Sequence, residues 1–105
     1  MYYVEFYSRK PHVDPERFRE TVKRTDALWA AANPQDRPAL AVGRTWRLGS
    51  GPRTIVVWEI DSATRIDEWT AKRWSDPESA RLIDEWLTVV DCDAGIYEDI
   101  GGERL

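Results

Sequence analysis

The order of the elements in this sequence predicts an α+β domain, in which helices pack on one face of a four-stranded antiparallel sheet. Three observations support this fold class. Residues 2–8 alternate with a period of two, as a strand does. Two stretches beginning with Asp-Pro, at 14–15 and 76–77, have the sequence of a helix start. Residues 40–61 hold two apolar runs around the turn GSGP, which is typical of a hairpin.

The first strand has two different faces. Tyr3, Glu5 and Tyr7 share one face, and Val4 and Phe6 share the other. We expect Val4 and Phe6 to point towards the helices, together with Val56, Trp58 and Ile60 of the third strand. Glu5 is then expected on the face that no helix covers.

The first helix is expected to have Asp14 as its N-cap and Pro15 at its first position, where the missing N–H of proline costs nothing. It ends before Pro34, because proline disfavours helical geometry at the preceding Asn33. Apolar positions recur along it at offsets of four, three and four, which predicts a buried stripe of Phe18, Val22, Thr25 and Trp29.

Residues 61–90 predict a second helix in two pieces, broken near Ser75–Pro77. The first piece is capped near Asp61 or Ser62, and the second restarts at SDPE. Helical spacing predicts the buried positions Ile66, Trp69, Arg73, Leu82, Ile83, Trp86 and Leu87. A fourth strand in residues 93–100, with Cys92 just before it, completes the ferredoxin-like order β-α-β-β-α-β in a single domain, 1–105.

Composition excludes several classes of function. The 105 residues suffice for one domain, and the net charge of -4 arises from interspersed acids and bases, so we expect no nucleic-acid partner. The sequence has neither a signal-peptide pattern nor an apolar stretch of about 20 residues, so we expect no membrane span. A lone cysteine, Cys92, fits a cytoplasmic protein. The six tryptophans fill either a small core or an oligomer interface.

The uncovered sheet face is expected to be both aromatic and charged. A buried unpaired carboxylate is costly, so this face either lines a partly hydrated cavity or pairs Glu5 with Arg44. The expected members of the face are Tyr3, Glu5, Tyr7, Val42, Arg44, Trp46, Val57, Glu59, Ile96 and Glu98.

Three stretches together resemble a known superfamily. They are YYVEFYSRKP running into DPERF, TIVVWEIDSATRIDEW, and WSDPESARLIDEWLTVVDCDAGIYEDI. Their order is similar to that of the dimeric α/β-barrel proteins, which include the NIPSNAP-like, antibiotic-biosynthesis-monooxygenase and EthD families, and the last stretch is closest to the NIPSNAP-like pattern. The resemblance implies a homodimer in which two open sheets press together and each protomer encloses a pocket.

Candidate catalytic residues follow from the expected pocket. Glu5, Glu59 and Glu98 are expected to share it, and carboxylates in a low-dielectric space raise one another's pKa, as a general base requires. We expect Glu5 or Glu59 to abstract a proton next to a carbonyl and Arg44 to hold the oxyanion. His12 is a second candidate acid or base. The alternatives are an Arg–Glu network at the dimer interface and a solvated loop histidine.

Candidate ligand-binding residues are aromatic. Tyr3, Tyr7, Trp46 and Trp58, with Glu98, are expected to line a flat site for an aromatic or conjugated ligand. The resemblance implies a cofactor-independent monooxygenase, cyclase or isomerase acting on an aromatic, polyketide-like substrate. The alternative is a non-catalytic NIPSNAP-like binding or stress-sensor protein whose open sheet face is mainly a dimer interface.

No metal or cofactor is expected. A single histidine and a single cysteine lack the clustered ligands of a metal site. The second helical region also has no histidine where the haem-degrading relatives carry their haem ligand.

Overall fold

The computed structural model describes residues 1–46 and 48–101, which form one open sheet and three helices. The sheet is antiparallel throughout, with strand order β2-β3-β1-β4, and the element order confirms the predicted ferredoxin-like fold. The elements are β1 Tyr2–Arg9, α1 Pro15–Ala32, β2 Leu40–Gly43, β3 Thr54–Glu59, α2 Thr64–Ser75, α3 Pro77–Leu87 and β4 Val90–Tyr97.

The two Asp-Pro helix starts are as predicted. Asp14 Oδ1 accepts a hydrogen bond from the Glu16 N–H at 2.9 Å. Asp76 has extended backbone, which ends α2, and its carboxylate accepts from the Ser79 hydroxyl at 2.8 Å and from the Ser79 N–H at 3.3 Å. These hydrogen bonds, the hydroxyl first, lower the pKa of Asp76. The second helical region is therefore broken where the sequence predicts.

Three predicted boundaries were wrong. The N-cap of α2 is Ala63 rather than Asp61 or Ser62, and no side chain caps that helix. Strand β4 begins at Val90, three residues before its predicted start, and ends at Tyr97. Cys92 therefore lies inside β4.

The predicted orientation of β1 was also wrong. Tyr3 pairs with Trp58 and Glu5 pairs with Val56, and directly paired residues share a face of the sheet. The Tyr3 ring lies 6.2 Å from the Trp69 ring of α2, which shows that this face is the one under the helices. Because side chains alternate between the two faces, assigning one residue of β1 to the wrong face places all of its side chains on the wrong faces.

The face without helices is more apolar than predicted. It excludes Glu5 and gathers side chains from all four strands. Leu40, Val42 and Tyr97 remain 53%, 43% and 49% exposed. Its apolar and aromatic members, which we call the open face, are Tyr2, Val4, Phe6, Leu40, Val42, Ile55, Val57 and Tyr97.

The chain forms a thin slab with a small core, only 18 Å deep along its shortest axis. Its buried hydrophobic residues in the described part are Ile60, Trp69, Leu82, Val89 and Val90, of which Val89 is fully buried. The chain exposes 7835 Å², whereas a compact monomer of this mass exposes about 6,000 Å². A single chain therefore leaves well over 1,000 Å² more surface in water than a compact monomer does. Within the described residues, no helix is long and apolar enough to cross a membrane.

Candidate functional site between sheet and helices

The Glu5 carboxylate lies between the sheet and the helices. Glu5 occupies the middle of β1, is half-buried, and accepts a hydrogen bond from Trp58 Nε1 at 2.7 Å. Trp58 projects from the neighbouring strand β3 on the same face. A charge-assisted hydrogen bond of this length holds the carboxylate in one position and offsets part of its loss of water. Sequence reasoning identified Glu5 but not this partner.

Three tryptophan rings pack together beside Glu5, and we call Trp29, Trp58 and Trp69 the tryptophan cluster. Ring centroids lie 5.3 Å apart for Trp58–Trp69, 6.1 Å for Trp29–Trp69 and 6.4 Å for Trp29–Trp58. The interplanar angles of 61° to 85° are edge-to-face geometries, which aromatic pairs prefer. The cluster joins α1, β3 and α2, so these elements form an aromatic wall.

Tyr7 lies on the same face as Glu5, and its ring packs edge-on against Trp86 of α3 at 5.3 Å. Burial, the charge of Glu5 and hydrogen bonding with that carboxylate raise the pKa of Tyr7 far above its ordinary value. Tyr7 is therefore a neutral phenol near neutral pH and can donate a hydrogen bond.

The field of Glu5 extends to two further groups. Partial burial first, and then the charge of Glu5, raise the pKa of Asp26, although this residue keeps more than a third of its surface exposed. Burial, Glu5 and Asp93 raise the pKa of the Cys92 thiol to about 11. Cys92 is therefore a protonated thiol near neutral pH.

Arg73 brings a positive charge to this face. Its Cζ lies 4.9 Å from the centroid of the Trp29 ring, a cation–π distance. Its charge opposes the rise in pKa that burial causes at Tyr3 and Cys92. Arg73 Nε and Trp29 Nε1 are both buried and have no hydrogen-bond partner among the described residues.

Asp36 closes one end of the site. It follows α1 and accepts hydrogen bonds from the Arg65 guanidinium and, at 3.3 Å, from Trp69 Nε1. The Arg65 Cζ lies 5.5 Å from the Trp69 ring centroid. A surface depression of about 300 Å³ lies beside Asp36 and Arg65. It is lined by residues 33–36 and by Arg65, Glu68, Trp69 and Lys72.

The structure brings together four of the predicted site residues, Tyr3, Glu5, Tyr7 and Trp58, on the covered face. The predicted shared cavity of Glu5, Glu59 and Glu98 was wrong. Glu59 pairs with Tyr2 and belongs to the opposite face, and Glu98 follows the end of β4 and is exposed. Glu59 lies on the face predicted for it, but Glu5 was assigned to the wrong face of β1, so the two carboxylates lie on opposite faces of the sheet.

The other predicted residues also lie apart from Glu5. Arg44 Nη1 donates to the Gly51 carbonyl at 3.1 Å, inside the β2–β3 connection, so it does not pair with Glu5. Trp46 is 76% exposed, in a bend of the same connection. His12 is exposed in the loop between β1 and α1.

Sequence reasoning did not assign Trp29, Trp69, Arg73 or Asp26 to the site. A signal existed for Arg73, because it lies four residues after Trp69 in the predicted buried stripe of α2. A charged residue in such a stripe indicates either an internal partner or a ligand. Among residues 1–46 and 48–101, no three His, Cys, Asp or Glu side chains converge as a metal site would require.

Known proteins resemble this chain in structure rather than in sequence. No protein-family model and no curated protein matches the sequence. A NIPSNAP domain protein from Burkholderia xenovorans superposes with a TM-score of 0.60 at 9% identity, over 97% of this chain and 98% of that one. A dimeric protein of unknown function with a ferredoxin-like fold, from Bacteroides fragilis, gives 0.53 at 12% identity, over 91% and 94%.

SnoaB, a cofactor-independent oxygenase from Streptomyces nogalater, superposes with a TM-score of 0.50 at 15% identity, over 97% of this chain and 96% of that one. Identities this low establish a shared fold and leave activity to the site itself. The chain thus shares the ferredoxin-like fold of these three proteins.

Proposed function

We propose that the protein binds a small aromatic or conjugated molecule beside Glu5, and that Glu5 acts as the general base in a cofactor-independent oxygenation, cyclisation or isomerisation. The observation that carries this proposal is a half-buried carboxylate, fixed by Trp58 Nε1 at 2.7 Å and flanked by the tryptophan cluster. Aromatic walls with a few fixed polar groups are typical of small-molecule sites.

The chemistry suited to such a site is proton abstraction next to a carbonyl. Glu5 accepts the proton, and the neutral Tyr7 hydroxyl that hydrogen-bonds with its carboxylate lies beside it. An electron-rich carbanion formed in this way can react with oxygen without a cofactor. The cofactor-independent oxygenase SnoaB shares the fold, which supports this class of reaction without assigning it.

A hydroxyanthrone is a suitable probe because it has an acidic C–H conjugated with its ring carbonyl. Glu5 takes that proton, the carbanion transfers electrons to oxygen and forms a C–O bond, and the resulting peroxide loses water. The products are one anthraquinone and one water for each anthrone and each oxygen molecule consumed.

Oxygen uptake with dihydroxyanthrone tests the proposal. We expect the wild-type protein to accelerate uptake over buffer and Glu5→Gln to lower the rate by at least about tenfold, as loss of a general base does. Glu59→Gln is the matched control, because Glu59 lies on the opposite face, and it should retain the wild-type rate. Equal rates for wild type and Glu5→Gln would refute the role of Glu5 as the base.

Non-catalytic ligand binding is the second candidate. It is favoured because the residues expected to act with Glu5 lie away from it. Arg44 donates to the Gly51 carbonyl in a loop, and Glu59 lies on the opposite face of the sheet. Dihydroxyanthrone that binds to the protein, detected as quenching of tryptophan fluorescence, without accelerated oxygen uptake would support this candidate over the enzyme.

The open face is proposed as the contact surface of a homodimer. Its members are apolar, with Glu59, Asp91 and Asp93 beside them on the same side of the sheet, and the excess surface of the whole chain, well over 1,000 Å², exceeds the roughly 800 Å² that each partner buries in a standard interface. The structurally similar Bacteroides fragilis protein is dimeric. Two open sheets facing each other would complete the barrel that the sequence resemblance implies.

Light scattering after size exclusion tests the dimer. The wild-type protein should run at twice the 12.2 kDa chain mass. Val42→Glu, on the open face, should shift it towards the monomer, whereas Leu87→Glu, equally exposed on α3, should not. A wild-type protein at the mass of one chain would show that the open face binds something else.

A further inference from the structure

The ligand proposed above must satisfy groups that the chain itself leaves without partners. Resting on that proposed function, we infer that the ligand is an aromatic molecule carrying an anionic oxygen, as an aryl carboxylate does, and that Arg73 and Trp29 Nε1 bind this oxygen.

Two buried N–H donors, on Arg73 and Trp29, have no acceptor among the described residues. Buried N–H groups nearly always have a partner, and leaving one unpaired costs about 1–3 kcal/mol. Arg73 Nε and Trp29 Nε1 are both unpaired, and the guanidinium lies over the Trp29 ring at 4.9 Å. Two orphaned donors on side chains in contact point to an acceptor that comes from outside the chain.

The positive charge of Arg73 is not paired with a carboxylate among the described residues. A guanidinium stays ionised at any pH at which proteins fold, and a half-buried charge is stable only when it is compensated. Arg24 pairs with Glu85 and Arg65 pairs with Asp36, whereas no carboxylate in the described part of the chain lies within ion-pair distance of Arg73. An anionic ligand group supplies the missing charge.

Glu5 does not supply it, because its carboxylate is engaged by Trp58 Nε1 and by Tyr7. The site therefore separates two roles. One end holds a fixed carboxylate that can accept a proton, and the other holds a cation with unused donors. Arg73 takes the oxyanion-binding role that the sequence had suggested for Arg44, whose guanidinium donates to the Gly51 carbonyl instead.

The tryptophan cluster connects Arg73 with Glu5. Arg73 stacks on Trp29, Trp29 contacts Trp58 at 6.4 Å, and Trp58 donates to Glu5. A planar ligand anchored through its anionic oxygen at Arg73 reaches Glu5 only by displacing these packed rings, because the surface depressions beside Asp36 and beside Tyr97 are not lined by Arg73 or Glu5. Arg73 is a binding residue in this arrangement, and it selects ligands by charge.

Calorimetric titration with two matched probes tests the inference. Hydroxynaphthoate carries the anionic oxygen, and hydroxynaphthamide has the same rings without the charge. We expect the wild-type protein to bind hydroxynaphthoate at least about tenfold more tightly, as a charge-assisted bidentate contact allows. Arg73→Gln should remove that preference by weakening hydroxynaphthoate alone, with hydroxynaphthamide changed by less than about twofold.

Two further variants sharpen the assignment. Trp29→Phe keeps an aromatic ring but removes the N–H, and it should weaken hydroxynaphthoate several-fold. Arg81→Gln is the matched control, because Arg81 is largely exposed and meets Glu85 only at 3.9 Å, and it should retain the wild-type preference.

The outcomes separate this inference from the proposed function. If both probes bind equally well to the wild-type protein, selection by charge is refuted while the ligand site stands. If neither probe binds, the ligand site beside Glu5 and this inference fall together. If the preference for hydroxynaphthoate persists in Arg73→Gln, the anion is held elsewhere. The comparison in wild-type protein does not depend on whether any variant folds.

Discussion

Trp58→Phe tests directly whether the Glu5 carboxylate is held inside the protein. The substitution keeps an aromatic ring on β3 but removes the indole N–H that donates to Glu5 at 2.7 Å. It also shrinks the ring that packs against Trp69 at 5.3 Å and Trp29 at 6.4 Å. The variant therefore leaves a half-buried carboxylate without one of its donors.

The expected loss of stability follows from these two contributions. A hydrogen bond to a charged acceptor contributes about 1.5–3 kcal/mol, and the lower end applies because Glu5 is only half-buried. The smaller ring costs about 0.5 kcal/mol more in its aromatic pairs. The total is about 2 kcal/mol, which lowers Tm by about 8–16 °C in a chain of this size.

Urea unfolding followed by circular dichroism at a fixed protein concentration measures this difference. Trp74→Phe is the control, since Trp74 is 48% exposed on α2, and it should change stability by less than about 0.5 kcal/mol. In a Glu5→Gln background, the cost of Trp58→Phe should fall by about 1 kcal/mol, because the charged acceptor is gone. Equal stabilities of Trp58→Phe and Trp74→Phe would refute the reasoning.

Three other predictions concern single groups. The pKa of Asp26 is raised in the folded state, so ionisation of Asp26 destabilises the fold as pH rises from the ordinary carboxyl pKa to the folded value. Asp26→Asn should therefore raise Tm near pH 7. A similar gain in Tm near pH 3 would contradict this reasoning. Cys92, with its pKa near 11, should react with iodoacetamide slowly at neutral pH and faster up to that pKa, whereas an inflection near the pKa of free cysteine would contradict the raised pKa of this exposed residue. Asp14→Ala should cost about 1 kcal/mol in urea unfolding and Asp14→Asn much less, and equal losses would exclude an N-cap role.

Local chemistry predicted the helix starts to the residue. An Asp-Pro pair needs nothing beyond its own turn to cap a helix, so both Asp14 and Asp76 were identified correctly. Strand ends and the start of α2 were less predictable, because Ala63 uses no side-chain cap and β4 is defined by its pairing with β1.

The orientation of β1 could not be read from its alternation. Val4 and Phe6 form the more apolar set, but they lie on the open face, which is apolar on β2 and for most of β3, although β4 places Asp91 and Asp93 on the same side of the sheet. Polarity therefore does not distinguish the two faces of this sheet. The contacts that settle the matter, such as Tyr3 with Trp69, join residues far apart in sequence. The contact between Arg73 and Trp29 could not be predicted for the same reason, because it joins two helices that are far apart in sequence.

The interruption at Asp76 has a consequence for how the interior can be reshaped. It divides the helical layer into two short rods, each resting on a different end of β1: α2 through Trp69 on Tyr3, and α3 through Trp86 on Tyr7. A continuous helix would transmit a tilt at one end to the other, whereas the extended Asp76 uncouples them. Substitutions at Trp69 therefore change the packing of the Tyr3 end of β1 through α2, and substitutions at Trp86 change the packing of the Tyr7 end through α3.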